Sequence, residues 1–420
     1  MAPQLYSIAA ILLSVAFLLA GNGLVTTLTP LRAHAEGFSH LAIGALGSFY
    51  YIGFVVGCLA GPRVLARVGH IRAFSVAAAL AAAAVLLQSL LLAPVAWFLI
   101  RTGFGFCAAN IYMALESWLN DRATNQTRGR ILAAYVIVTL TFLTLGQWLL
   151  LLASPAGFKL FTVAAIAYIC GLVPVGLTRL PQPARQPVPP LRVRRLVAMA
   201  PVGVAGVMTV GLANGAFWAL APVYAQLLGF RTSGIAAFMS VFIIGGALIQ
   251  LPLAKFSDRS DRRWLIALAC GCAAIFGVAL ALLGRHGIRT PALLYPAAFA
   301  FGAAMLPLYS LSIAHANDRM LRNEFVEASA TLLLINALAS VVGPILGAAI
   351  TAHFGMSSLF LYTAAVHGVM TVFTVARTAS TPAEPKQGRE HYVVVPQLAS
   401  PLALELDPRG PAHADSRQAA

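Results

Sequence analysis

Charge is scarce in this sequence. Only 10% of its 420 residues are Asp, Glu, Lys or Arg, against about a quarter in an ordinary soluble domain, and just 13 are acidic. A soluble enzyme and a disordered regulator are both excluded by that poverty. Cysteine is sparse too. The five present (Cys58, Cys107, Cys170, Cys270 and Cys272) all fall inside apolar stretches, where thiols behave as small hydrophobes, so neither a disulfide framework nor a zinc site is implied. The sequence contains no His-x-x-x-His, no Gly-x-Ser-x-Gly and no pair of carboxylates within an apolar stretch. An intramembrane enzyme would need such a nucleophile with its base, or metal ligands, so no catalytic residue, metal or cofactor is expected.

What is abundant is apolar sequence, at 60% of residues. It is distributed over twelve runs, near 5–30, 41–62, 73–92, 95–118, 131–153, 157–177, 196–227, 234–254, 264–284, 291–315, 328–351 and 357–376. Each matches the roughly 20 residues that carry a helix across about 30 Å of hydrocarbon. A transmembrane barrel would show segments of about ten residues with alternating polarity, and these runs are long and continuous. The first run is too long for a signal peptide and no basic residue precedes it, so an uncleaved helix is expected.

The net charge of +15 invites a nucleic-acid reading, but the basic residues lie between apolar runs and not along one face, so no nucleic-acid partner is expected. Their placement is an orientation signal. If the amino terminus is cytoplasmic, 22 of the 28 Lys and Arg lie on the cytoplasmic side and five (Arg32, Lys159, Arg231, Arg285, Arg289) on the other, leaving Arg101 as the one inside a run. Both termini are therefore expected in the cytoplasm. The proline-rich basic stretch at 178–195 reads as a cytoplasmic linker between six helices (1–177) and six more (196–376). The polar segment 377–420 reads as a disordered cytoplasmic tail, in which the apolar island Tyr392–Val395 either touches the cytoplasmic face or hangs free.

The two halves align. At an offset of 192, Asn22-Gly23 falls on Asn214-Gly215, Leu28 on Leu220, Pro30 on Pro222, Ser48 on Ser240, Arg63 on Lys255 and Arg67 on Arg259. Beyond the third helix the offset becomes 197, pairing Phe104 with Phe301, Gly105 with Gly302, Tyr112 with Tyr309 and Asn120-Asp121-Arg122 with Asn317-Asp318-Arg319. The step has a visible source, because Ala93-Pro94 joins helices 3 and 4 where the longer "GRHGIRTP" joins helices 9 and 10. Six helices is an even number, so the halves run in the same direction and are related by an axis along the membrane normal.

Local motifs point to a family. The stretch "GPRVLARVGHIR" resembles a degenerate form of the major facilitator loop pattern G-x-x-x-D-[RK]-x-G-x-[RK]-[RK]: Arg67, Gly69 and Arg72 match, while Ala66 stands where the family has Asp. The second copy, "AKFSDRSDRR", keeps Asp258, Arg259, Arg262 and Arg263, with Asp261 replacing the glycine. In helix 4, Arg101 and Gly105 resemble the family's R-x-x-x-G pattern. Tyr112, Glu116, Arg128 and Gly129 resemble the Y-x-x-E…R-G element of sugar porters. Glu116-Ser117 followed by "RGRILAAY" is most similar to the bacterial YcaD-like branch. The resemblance covers residues 1–376. It implies an all-α integral membrane protein of twelve transmembrane helices in two pseudo-symmetric six-helix bundles, seated as a monomer in the bilayer of the bacterial inner membrane. It also implies a small-molecule solute moved by alternating access, with helices 1, 4, 7 and 10 lining the path.

Candidate residues follow. Glu116 and Asp258 lie near the cytoplasmic ends of their helices, with Arg67, Arg72, Arg128, Arg130, Arg259 and Arg262 expected close by. Charge-assisted hydrogen bonds there would form an inner gate, since exposed pairs of about 0–1 kcal/mol each can be broken; equally, they fix loop geometry. Arg101 either contacts an anionic or polar solute or snorkels to the outer interface. Asn22 and Asn214 offer matched amides to a solute, or serve as helix–helix glue. Asn110, Tyr112, Trp218 and Tyr309 are further path candidates, against an interface or packing role. His315 and His367 are the possible proton carriers, against a packing role, so coupling to a proton, to sodium or to nothing stays open. The lack of a mid-membrane carboxylate argues against a cationic solute and for a neutral or anionic one. The alternative is a non-transporting membrane protein, a sensor or an intramembrane enzyme.

Overall fold

In the computed structural model the described residues are 2–178, 183, 191–321, 324–381, 392–395 and 406, without the side chains of 2–5, 251 and 326. Their regular structure is helical throughout. The first half comprises α1 (Ala2–Ala35), α2 (His40–Val68), α3 (His70–Leu90), α4 (Pro94–Arg122), α5 (Arg128–Trp148, extended by a 3-10 turn to Leu152), and α6 (Lys159–Cys170) with α7 (Leu172–Gly176) as one span. A short helix α8 (Val193–Met199) leads into the second half. That half contains α9 (Pro201–Leu227), α10 (Thr232–Arg259), α11 (Arg262–Arg285), α12 (Pro291–Met305) with α13 (Leu308–Asn317) as one span, α14 (Phe325–Phe354) and α15 (Ser358–Ser380). Among the described residues twelve spans are long and apolar enough to cross a bilayer.

Local chemistry sets the helix ends. Pro94, Pro201 and Pro291 open α4, α9 and α12, where a missing N–H costs nothing. Ser39 and Asp261 cap α2 and α11, accepting from the N–H groups of Ala42 and Arg263.

Three details differ from expectation. The seventh apolar run breaks at Ala200, because Pro201 starts a new helix and leaves α8 separate. Arg32 is not in a loop but in the last turn of α1, buried, with Nε 2.6 Å from Glu36 Oε1 and Nη1 donating to the Ala156 carbonyl. Glu116 lies in the last two turns of α4, which continues to Arg122, but its side chain is fully buried where an exposed pair was expected.

The internal repeat is visible atom by atom. Gly37 and Gly229, 192 residues apart, both take the positive φ that the turn after the first span of each half requires (77° and 86°). The turns close with equivalent bonds, Phe38 N–H to Ala33 O and Phe230 N–H to Ala225 O. Helix–helix contacts repeat too. Gly105 lies against the backbone of Tyr50 and Gly302 against that of Phe242; Gly53 meets Thr102 as Gly245 meets Phe299. A side chain at any of these glycines would meet main-chain atoms, so α2 packs on α4, and α10 on α12, at backbone distance.

The halves meet through α2 with α14, α1 with α9, and α5 with α10. Contact is tight at the face opposite the termini. There Gly44 lies against Pro344 and Ala348, Gly47 against Ala219 and Pro344, and His40 Nδ1 is 3.3 Å from Thr351 O.

Candidate functional site

Just inside that tight seam lies a cavity of about 60 Å³, lined by residues of both halves. α1 contributes Asn22, Thr26, Thr29 and Pro30; α2 contributes Tyr50 and Tyr51; α4 contributes Arg101; α9 contributes Gly215, Trp218 and Ala219. The volume holds a handful of water molecules and falls well short of the roughly 300–1,000 Å³ usual for a drug-sized ligand.

Arg101 is the dominant feature. Its side chain turns into the protein and is 8% exposed. The guanidinium carbon sits over the ring of Tyr50 at 4.9 Å and that of Phe104 at 5.3 Å. Ring faces attract a cation but accept no ordinary hydrogen bond, and Arg101 Nε and Nη1 have no hydrogen-bond partner among the described residues. Tyr50 Oη and Thr29 Oγ1, both buried, have none either.

Of the residues singled out from sequence, Asn22, Arg101 and Trp218 share this cavity. Asn214 is fully buried on α9, one turn from Trp218, and does not line it. Asn110 donates to Phe106 O of its own helix at 2.8 Å, and its Oδ1 faces Gly61 of α2. Tyr112 packs against Phe54, and Tyr309 of the second half comes within electrostatic reach of Glu116 and Cys58 of the first. His367 Nδ1 is 2.7 Å from Thr363 O, and His315 is buried on α13.

Thr26, Thr29, Tyr50 and Tyr51 escaped the sequence reading. The signal that reveals them is mismatch within the repeat. At the established offsets Thr29 falls on Ala221, Tyr50 on Phe242 and Arg101 on Ala298. These three polar groups of the cavity have apolar counterparts in the other half, whereas Asn22 is matched by Asn214, so the polarity of Thr29, Tyr50 and Arg101 is not demanded by the bundle architecture.

The charged candidates form a second cluster at the face bearing the termini. Arg262, only 1% exposed, reaches Asp318, lies 3.7 Å from Asp258, and donates to Ser257 Oγ at 3.0 Å and Ala314 O at 2.9 Å. The first half lacks this network: Ala66 and His70 occupy the positions of Asp258 and Arg262, and His70 Nε2 instead meets Ser117 Oγ at 3.0 Å. Glu116 accepts from Tyr135 Oη at 2.8 Å, and Arg128 is buried. Arg67, Arg72, Arg130 and Arg259 are exposed. The linker end is tied to α14, with Arg192 2.8 Å from Glu327 and Arg195 2.7 Å from Glu324.

The chain beyond α15 reaches the same cluster. Tyr392 and Val395 are buried against the apolar core of the second half, and Val394 packs both there and on the larger core that joins the two halves. Val395 N–H donates to Ser310 Oγ at 3.0 Å, and Ser310 Oγ donates back to Val395 O at 3.2 Å. Most residues of the 178–195 linker and of the 377–420 tail lie outside the described residues.

Comparison with known proteins bears on this geometry. The family model described as Major Facilitator Superfamily matches residues 10–284 and 203–411. Relatives described as the MFS-type transporter YcaD, uncharacterized, from Escherichia coli O139:H28 (strain E24377A / ETEC) and Shigella sonnei (strain Ss046) are each 27% identical over 360 residues, covering 85% of this chain and 92% of the relative. Among solved structures, the nucleoside transporter NupG aligns with a TM-score of 0.71 at 16% identity, over 90% of this chain and 99% of that one. The inward-facing, unoccupied bacterial homolog of the human lysosomal transporter Spinster gives 0.67 at 15% identity, over 90% and 96%. The human organic anion transporter MFSD10 gives 0.61 at 14% identity, over 89% and 99%. At such identities these likenesses show a shared fold.

Proposed function

This chain belongs to the Major Facilitator Superfamily and is a multi-pass membrane transporter, and on that footing we propose that it moves a small neutral or anionic solute by alternating access through the cavity between its halves. The supporting observation is the cavity's composition: Asn22, Tyr50 and Arg101 come from one half, Gly215 and Trp218 from the other. Motion of one half against the other necessarily opens or closes it. At about 60 Å³ it admits a solute of more than a few atoms only if the halves part.

The face carrying the termini is the cytoplasmic one in this reading, because its loops are rich in Arg. The 178–195 segment is then a cytoplasmic linker, and Glu116, Arg128, Asp258 and Arg262 act at the inner gate. The lining includes no carboxylate, which favours a neutral or anionic cargo over a cationic one. Carriers of nucleosides and of organic anions share this fold, in keeping with that class. A monomer suffices, since both walls of the cavity come from one chain.

The test is accessibility of Asn22→Cys, in a background with the five native cysteines replaced, to an impermeant maleimide applied from either side of oriented vesicles. The reading expects labelling from both sides, with the balance changed by conditions that favour one state. Labelling from one side alone under every condition overturns it.

A further inference from the structure

Arg101 carries a permanent charge into the span of α4, about 10 Å from the helix start at 1.5 Å per residue. A charge so buried is stable only when paired or hydrogen-bonded. None of the residues lining the cavity is acidic, and the titratable neighbours of the guanidinium are the hydroxyls of Tyr50, Tyr51 and Tyr168. Two aromatic faces spread the charge without using its N–H groups. Nε and Nη1 have no partner among the described residues, and Tyr50 Oη and Thr29 Oγ1, equally without one, belong to residues that line the same cavity and add two more hydroxyls able to donate. Donors from α1, α2 and α4 thus line one cavity, and the repeat supplies an apolar residue at the positions equivalent to Thr29, Tyr50 and Arg101 in the other half.

We propose that the cavity is a monoanion site: Arg101 binds a carboxylate-type head group of the transported solute, with Tyr50 and Thr29 as accompanying donors. The proposal rests on the carrier reading above and narrows it. A planar guanidinium fork matches two carboxylate oxygens, and one guanidinium balances one negative charge. A neutral solute would leave the cation uncompensated in a medium of low dielectric constant. A dianion would replace one unpaired charge by another. Gly215, Trp218 and Ala219 of the second half also line the cavity, so an anion bound at Arg101 lies between the two halves.

Acetate is the probe, because it is small and presents the required group whatever the natural solute carries behind it. The purified full-length protein is titrated with sodium acetate, with acetamide or with sodium phosphate, ionic strength being held constant with sodium chloride, which carries no carboxylate, and its unfolding temperature is followed. A ligand of the folded state raises that temperature saturably. The expected result is a saturable rise with acetate, none with acetamide, a smaller response to phosphate, and loss of the acetate response in Arg101→Gln. Arg101→Lys keeps the charge without the fork, and its midpoint moves to higher acetate; Tyr50→Phe moves the same way. These two variants carry the test if Arg101→Gln does not fold. Equal responses to acetate and acetamide, no response to acetate, or unchanged midpoints in the variants overturn the proposal. A failed acetate response with two-sided labelling of Asn22→Cys discards the anion and leaves the carrier. One-sided labelling discards the carrier itself.

Discussion

The backbone N–H of Tyr392 donates to the Asp258 carboxylate at 2.6 Å, so a residue from beyond the last span is tied to the acid that also faces Arg262. With the exchange of bonds between Val395 and Ser310, this seats four tail residues on the face that carries the termini.

Slow amide exchange at Tyr392 and Val395 is the expected signature. Ser310→Ala removes the partner of both Val395 bonds, costing about 1–3 kcal/mol and accelerating exchange at Val395 roughly 5–150-fold. Hydrogen-exchange mass spectrometry of the full-length protein checks this. Fast exchange already in the wild type would mean that the segment is not docked in solution.

Arg262 is the buried hub of its cluster. Arg262→Met leaves Asp318, itself 4% exposed, without its guanidinium, and a loss of about 3–5 kcal/mol is expected. The double change Arg262→Met with Asp318→Leu should recover much of it, since removing both charges removes the desolvation problem. Thermal unfolding of the three variants in one detergent decides. A double variant no better than the single would show that packing around Arg262, and not its charge, is what matters.

The glycine seams separate two kinds of effect. Gly105→Ala and Gly302→Ala each press a methyl on backbone within one half, so both should destabilise by about 1–3 kcal/mol, and by similar amounts because the contacts repeat. Gly44→Val acts between halves, against Pro344 and Ala348. Its strain is relieved by parting them at the face opposite the termini. Impermeant labelling of Asn22→Cys from that face should rise in Gly44→Val and stay unchanged in Gly105→Ala.

These contacts also mark what the sequence disclosed and what it withheld. Span number, the even division and the repeat were legible because lipid demands long apolar runs and because paired residues such as Gly105 and Gly302 keep their spacing. The position of Glu116 near the end of its helix was legible, but its full burial and its bond from Tyr135 were not, since an acid close to a helix end reads as exposed until its partner is seen. The cavity was half legible. Asn22, Arg101 and Trp218 stand out by type, whereas Thr29 and Tyr50 are ordinary membrane residues until three-dimensional proximity joins them to an arginine. The tail contacts had no sequence signal beyond a short apolar island, because docking there depends on single hydrogen bonds to Ser310 and Asp258.

The central claim is that the halves rock about a shared cavity, and paired distances across both faces test it most directly. Arg63 and Lys255 are exposed and symmetry-related at the face bearing the termini, as Ala35 and Leu227 are at the other. Spin labels at each pair, read by double electron–electron resonance in nanodiscs, should report opposite changes when Gly44→Val is introduced, the 35–227 distance lengthening as the 63–255 distance shortens. Distances that stay fixed at both faces, or that lengthen together, would contradict a rocking carrier.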